Sequence, residues 1–153
     1  MLDQENTAAL LNDLIIINND RVEGYESAAQ EAKDLALRSL FDALARDSRK
    51  FASVLSLEVA QLGENVSTGT SIAGKFYRAW MDIKAKMTKS DQVAILNSCE
   101  EGENVALEAY QRALTSNVQL SPELAQTLLD QKNLISEGLQ TVIKLRDTVY
   151  AHA

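Results

Sequence analysis

Two acids stand in a stripe that otherwise reads as the apolar seam of a helix. Val93, Leu96, Glu100, Glu103, Leu107, Tyr110 and Leu114 recur every three or four residues, the spacing that lines side chains up on one helical face. Glu103 falls among residues that should face a core. A carboxylate buried there without a partner costs several kcal/mol, so a hydrogen-bonding network, a neutralised acid or a metal ion has to be supplied by neighbouring segments. The network reading draws on Tyr25, Asn18, Gln131 or Ser48 as hydrogen-bonding partners, with Arg21 as a charged partner if its side chain reaches inward. The metal reading uses Glu100 and Glu103 with other carboxylates, iron being the candidate ion.

The metal reading meets an obstacle in composition. Helical bundles that hold a di-iron centre use one Glu from each of two helices and a Glu-x-x-His pair from each of the other two. This chain has a single histidine, His152, at its end, and no Glu-x-x-His. Glu58 lies ten residues beyond Ser48, hence about 15 Å further along a helix axis, too far to share a dinuclear site with Glu103. Asp20, Glu23, Asp47 and Glu137 fall outside the apolar stripes by helical phase. Other chemistries lack their parts as well: there is no nucleophile–histidine pair, no glycine-rich phosphate cradle and no Cys/His cluster. The lone Cys99, beside the seam, reads as an inert, half-buried thiol; it rules out an intramolecular disulfide and suits a reducing compartment.

One region is basic in an otherwise acidic chain. Lys75, Arg78, Lys84, Lys86 and Lys89 surround Trp80, which makes Lys75, Arg78, Trp80 and Lys84 a candidate surface or partner site. Without phosphate-loop glycines, solvated lysines flanking aromatic residues that cover a bundle end are the plainer reading. The net charge of −7, from 15 basic and 22 acidic residues, also argues against a binder of duplex nucleic acid, whose affinity comes mainly from neutralising phosphates.

The elements that must position these groups are helices. Apolar residues make up 46% of the 153 residues, with 5% aromatic, six glycines and one proline; so few turn-formers imply long helices with short breaks. The length suits one domain, 1–153, with a core of its own. Leu11, Leu14, Asn18, Val22, Tyr25, Ala29 and Ala32 give a helix over about 6–33. Asp34 caps a second over about 34–62, ended by Gly63. Ser90 caps a third over about 90–116, and Ser121-Pro122-Glu123 opens a fourth over about 122–150. Residues 63–89 form a connection too long for an unstructured loop. We read it as a crossover along the bundle with a short helix over about 71–87. No run is long and apolar enough to cross a membrane, and Leu14-Ile15-Ile16-Ile17 is too short and acid-flanked for a secretory core, so a cytoplasmic protein is expected. Ile15, Ile16 and Ile17 give the first helix more apolar surface than one seam needs, which predicts a homodimer.

Taken in order, these landmarks resemble one family. They are Leu11-Asn12-Asp13-Leu14-Ile15, Glu23 to Ala29, Phe51 to Gly63, Gly69 to Gly74 with Arg78-Ala79-Trp80 and Lys84, Cys99-Glu100 and Gly102-Glu103, and Leu145-Arg146-Asp147. The chain resembles a bacterial ferritin-like four-helix-bundle family described only as a domain of unknown function. The resemblance spans nearly the whole chain and implies an all-α, ferritin-like four-helix bundle with the long connection between helices two and three; it implies no activity. Tyr77 stands where that family commonly has a histidine before Arg-x-Trp, and Leu139-Gln140 where it has His-Asp. Roles built on those histidines therefore do not transfer.

The expectation is a non-enzymatic structural or interaction module without a cofactor, a homodimer with no nucleic-acid or membrane partner. The alternative is a carboxylate bundle that binds or oxidises iron.

Overall fold

The computed structural model describes residues 2–69 and 92–151. They form four helices and no strand: α1 (Leu2–Glu31), α2 (Leu35–Gln61), α3 (Gln92–Thr115) and α4 (Pro122–Ala151). The fold is an all-α four-helix bundle. Lys75, Arg78, Trp80, Lys84, the short helix expected over 71–87 and the Ser90 cap lie outside the described residues.

The helix ends follow from local chemistry. Asp34 is extended (φ −77°, ψ 129°), and its carboxylate accepts from the Leu37 N–H, which the first turn would otherwise leave unbonded. Gly63, at φ 76°, ends α2 in a Schellman turn: its N–H reaches Ala60 O at 3.0 Å and the next N–H, of Glu64, reaches Val59 O at 3.3 Å. Ser121 Oγ accepts from Leu124 N at 3.1 Å, and Pro122 occupies the first helical position, where no N–H is needed.

Short turns make α1 and α2 one antiparallel hairpin and α3 and α4 another. Between the hairpins, Arg21 meets Glu103 while Asn18 meets Tyr110, so α1 and α3 run in opposite directions. Gly138 faces Leu44 and Gln131 faces Phe51, so α2 and α4 do the same. It follows that α2 and α3 run in parallel. Gln92 Nε2 donates to Asp34 Oδ2 at 3.2 Å, which puts the start of α3 beside the start of α2. The chain between them has to join opposite ends of the bundle, a distance of about 40 Å for the 27-residue α2.

Leu11, Leu14, Tyr25, Phe41, Leu55, Leu96 and Leu128 are buried at the centre. Two phases differ from the sequence reading. On α1, Arg21 turns inward and Val22 is half-buried, because positions 14, 18, 21, 25 and 28 share the face that meets α3. On α3, burial extends to Ser98, Cys99, Gly102 and Ala106, because both α1 and α4 press on it; Cys99 is fully buried, not half-buried. Ile15 enters the core and Ile17 packs against it, so these two isoleucines are used inside the chain's own bundle. Among the described residues no helix is long and apolar enough to cross a membrane.

Candidate functional site

Glu103 lies at mid-length of α3 with no solvent exposure. Arg21, one side chain in from α1 and equally buried, sets Nη2 at 2.9 and 3.1 Å from its two carboxylate oxygens. The Tyr25 hydroxyl donates to Glu103 Oε1 from one helical turn further along α1. Tyr25 is itself held by Phe41 of α2, ring centroids 5.8 Å apart and nearly parallel, and the Arg21 guanidinium carbon stands 6.0 Å from its ring centre.

From the ion pair the bonds continue across the core. Arg21 Nη1 donates to Asn18 Oδ1 at 3.1 Å, and Asn18 Nδ2 donates to Leu14 O at 3.0 Å and to the Tyr110 hydroxyl at 2.8 Å. The Tyr110 hydroxyl donates to Gln131 Oε1 of α4 at 2.6 Å. Gln131 Nε2 then points to Phe51 O of α2 at 3.5 Å, the long limit for such a bond. One polar chain thus touches all four helices in a largely apolar interior. Asn18 and Gln131 do not reach Glu103 themselves; they join it through Arg21 and Tyr110. Ser48 takes no part, its hydroxyl donating to Leu44 O of its own helix at 2.6 Å.

The electrostatics hold each group in the form its bonds require. Burial disfavours the charged Arg21 guanidinium, but the facing Glu103 carboxylate together with Tyr25 and Tyr110 outweighs it and leaves the arginine more basic than usual. Burial, reinforced by Glu103, pushes the Tyr25 hydroxyl well above its ordinary value, so it stays a donor. Burial also raises Tyr110 to about 12, against the lowering pull of Asn18 and Arg21. The Cys99 thiol is pushed up by burial and then by Glu103, which keeps it protonated and unreactive.

Glu100 is on the other flank of α3. Its half-buried carboxylate pairs with Arg146 of α4, whose Nη1 also donates to Asn97 Oδ1 at 3.1 Å. The two acids of the Glu-x-x-Glu segment are therefore divided between two arginines, one per neighbouring helix.

A family model described as Domain of unknown function (DUF2383) matches residues 6–116. The chain belongs to that family. No curated protein matches it. The DUF2383 match takes in Asn18, Arg21, Tyr25, Glu103 and Tyr110, and stops before the two α4 residues that complete the contacts, Gln131 and Arg146.

Among the described residues of this DUF2383 chain, the donors around Glu103 do not fit a metal as they are arranged. A guanidinium stands where a cation would bridge the two Glu103 oxygens, and Glu100 is turned to a second guanidinium. Among the described residues no three His, Cys, Asp or Glu side chains gather as a ligand group. Asp20, expected outside the stripe by phase, is buried as well. Tyr110 is the network residue that sequence reasoning placed as seam only. Its signal was present, since a tyrosine seven residues after a buried acid on the same face needs a partner for its hydroxyl.

Proposed function

We propose that this DUF2383 chain is ferritin-like in architecture and non-enzymatic in use, a cytoplasmic homodimer that acts as a structural or interaction module without a cofactor. The observation that supports this is how Glu103 is held: one guanidinium contacts both carboxylate oxygens and one phenol donates to Oε1, at a position with no solvent exposure. A catalytic acid needs access to a reacting atom, and a metal-ligating acid needs a free lone pair aimed at the ion. Acidic charge supports the absence of a duplex nucleic-acid partner. The candidate partner surface remains Lys75, Arg78, Trp80 and Lys84, on grounds of composition.

Anaerobic addition of Fe(II) to chelator-free protein, followed by air and elemental analysis, tests the reading. No stoichiometric iron and no carboxylate-bridged ferric absorption are expected. Retention of two irons per chain, abolished by Glu103→Gln, would overturn it in favour of the iron-oxidising alternative. Sedimentation velocity tests the dimer independently.

A further inference from the structure

After the Schellman turn at Gly63, residues 64–69 run without helical or strand structure. Two asparagines of α1 hold them. Asn12 presents its side-chain amide as if it were a backbone unit: Nδ2 donates to Asn65 O at 2.9 Å while Oδ1 accepts from Ser67 N at 2.9 Å. Asn19 Nδ2 donates to Gly69 O at 3.0 Å.

The spacings agree with one another. Asn12 and Asn19 are two helical turns apart, about 10.5 Å along α1 at 1.5 Å per residue. The backbone they grip, centred on Val66 and then on Gly69, spans three residues, about 10 Å when extended at ~3.3 Å each. An extended segment running parallel to α1 therefore meets both amides in register. Ile16, four residues after Asn12 and three before Asn19, lies on the same face between them and is half-buried.

Apolar burial contributes little to this attachment. Val66 is the one apolar side chain among residues 64–69, and it packs only partly buried against the core. Among the described residues, the rest of the attachment is three hydrogen bonds to half-buried asparagine side chains. Segments with few buried apolar contacts and accessible hydrogen bonds open at low free energy, apart from the global unit. The bundle beneath is held by a different set of contacts, since neither Asn12 nor Asn19 enters the polar network of Glu103.

We infer that Asn12 and Asn19 form a latch that docks the 64–69 strap on α1 and lets it open as a local unit while the four helices stay folded. The latch fastens the start of the connection between α2 and α3, and its opening frees Asn12 and Asn19 on α1. Either asparagine also has the geometry of a donor that a competing backbone could take over, though the latch itself requires only this chain.

Amide hydrogen exchange of the full chain, followed by NMR, tests this. Asn12→Ala removes the acceptor of the Ser67 N–H, so that amide should exchange about tenfold faster while amides within α1 and α2 keep their rates, as loss of a modest hydrogen bond implies. Asn12→Asp keeps an acceptor and loses the donor to Asn65 O; it should retain Ser67 protection, which a general loosening would not. Asn19→Ala removes the donor to Gly69 O and should leave Ser67 less affected than Asn12→Ala does. Unchanged Ser67 exchange in Asn12→Ala would overturn the latch. Equal acceleration throughout α1 and α2 would overturn its local character.

Discussion

A single nitrogen of Arg21, Nη2, lies 2.9 and 3.1 Å from the two oxygens of Glu103, across 82 residues of chain and with both side chains out of contact with water. Removing two charges from water costs several kcal/mol each, and their attraction offsets this only while the pair and its remaining hydrogen bonds are intact. Arg21→Met should therefore lower stability by about 3–5 kcal/mol by stranding Glu103, and Glu103→Leu should do the same by stranding Arg21. The double variant should recover most of the loss. Urea denaturation of the four proteins closes the cycle; additive losses in the double variant would show that the pair is not coupled.

Stability should fall at alkaline pH. Tyr25 and Tyr110 both have folded-state values raised above their ordinary value of 10.0, Tyr110 to about 12. The unfolded chain releases these protons first, so it binds fewer protons than the folded one, and the stability present below pH 10 is lost as pH rises toward the folded values. The slope should approach ~1.4 kcal/mol per pH unit for each group. Denaturation midpoints at successive pH values, compared with Tyr110→Phe, measure one share directly. Tyrosinate absorbance of single-tyrosine variants should show Tyr25 and Tyr110 held protonated above the ordinary tyrosine range until the chain unfolds.

Tyr110→Phe also carries a cost at neutral pH. It leaves Gln131 Oε1 without its short donor and removes one of the two acceptors of Asn18 Nδ2. A loss of about 1–3 kcal/mol is expected from an unsatisfied buried acceptor. Thermal unfolding followed by circular dichroism checks it, and an unchanged midpoint would mean that the Gln131 amide finds another donor.

Cys99 should report global opening. It is fully buried, and its thiol is held protonated by burial and by Glu103. Labelling by a thiol reagent at neutral pH should be at least ~10³-fold slower than for unfolded protein, with the rate following the unfolding equilibrium. Fast labelling under native conditions would show that α3 opens locally.

At Gly138 the Leu44 side chain of α2 comes close to the α4 backbone. A Cβ there would stand 3.0 Å from Leu44 Cδ2. Gly138→Ala gains about 1 kcal/mol of helix propensity and requires the leucine methyl to shift, so its stability should stay within ~1 kcal/mol of the parent. Gly138→Leu should lose about 1–3 kcal/mol by overpacking. Denaturant midpoints distinguish the two.

What the chain's residues determine locally was legible in order. The ends of α2 and α4 are written in Asp34, Gly63 and Ser121-Pro122, because each supplies or relieves backbone hydrogen bonds within a few residues of itself. The all-α class follows from composition and period. That an acid in the α3 stripe must find partners was also readable, because desolvation of a carboxylate depends on burial alone and not on which helix lies opposite. Which partners it found was decided only in three dimensions. A helix read from sequence carries a phase uncertain by one residue, about 100° of rotation, and that is the difference between Val22 and Arg21 facing inward. The joining of Asn18 and Gln131 to Glu103 through Arg21 and Tyr110, the division of Glu100 and Glu103 between two arginines, and the docking of residues 64–69 on α1 all depend on contacts between segments 21 to 92 residues apart. No local rule specifies those, because they arise when four helices settle their depth and rotation together.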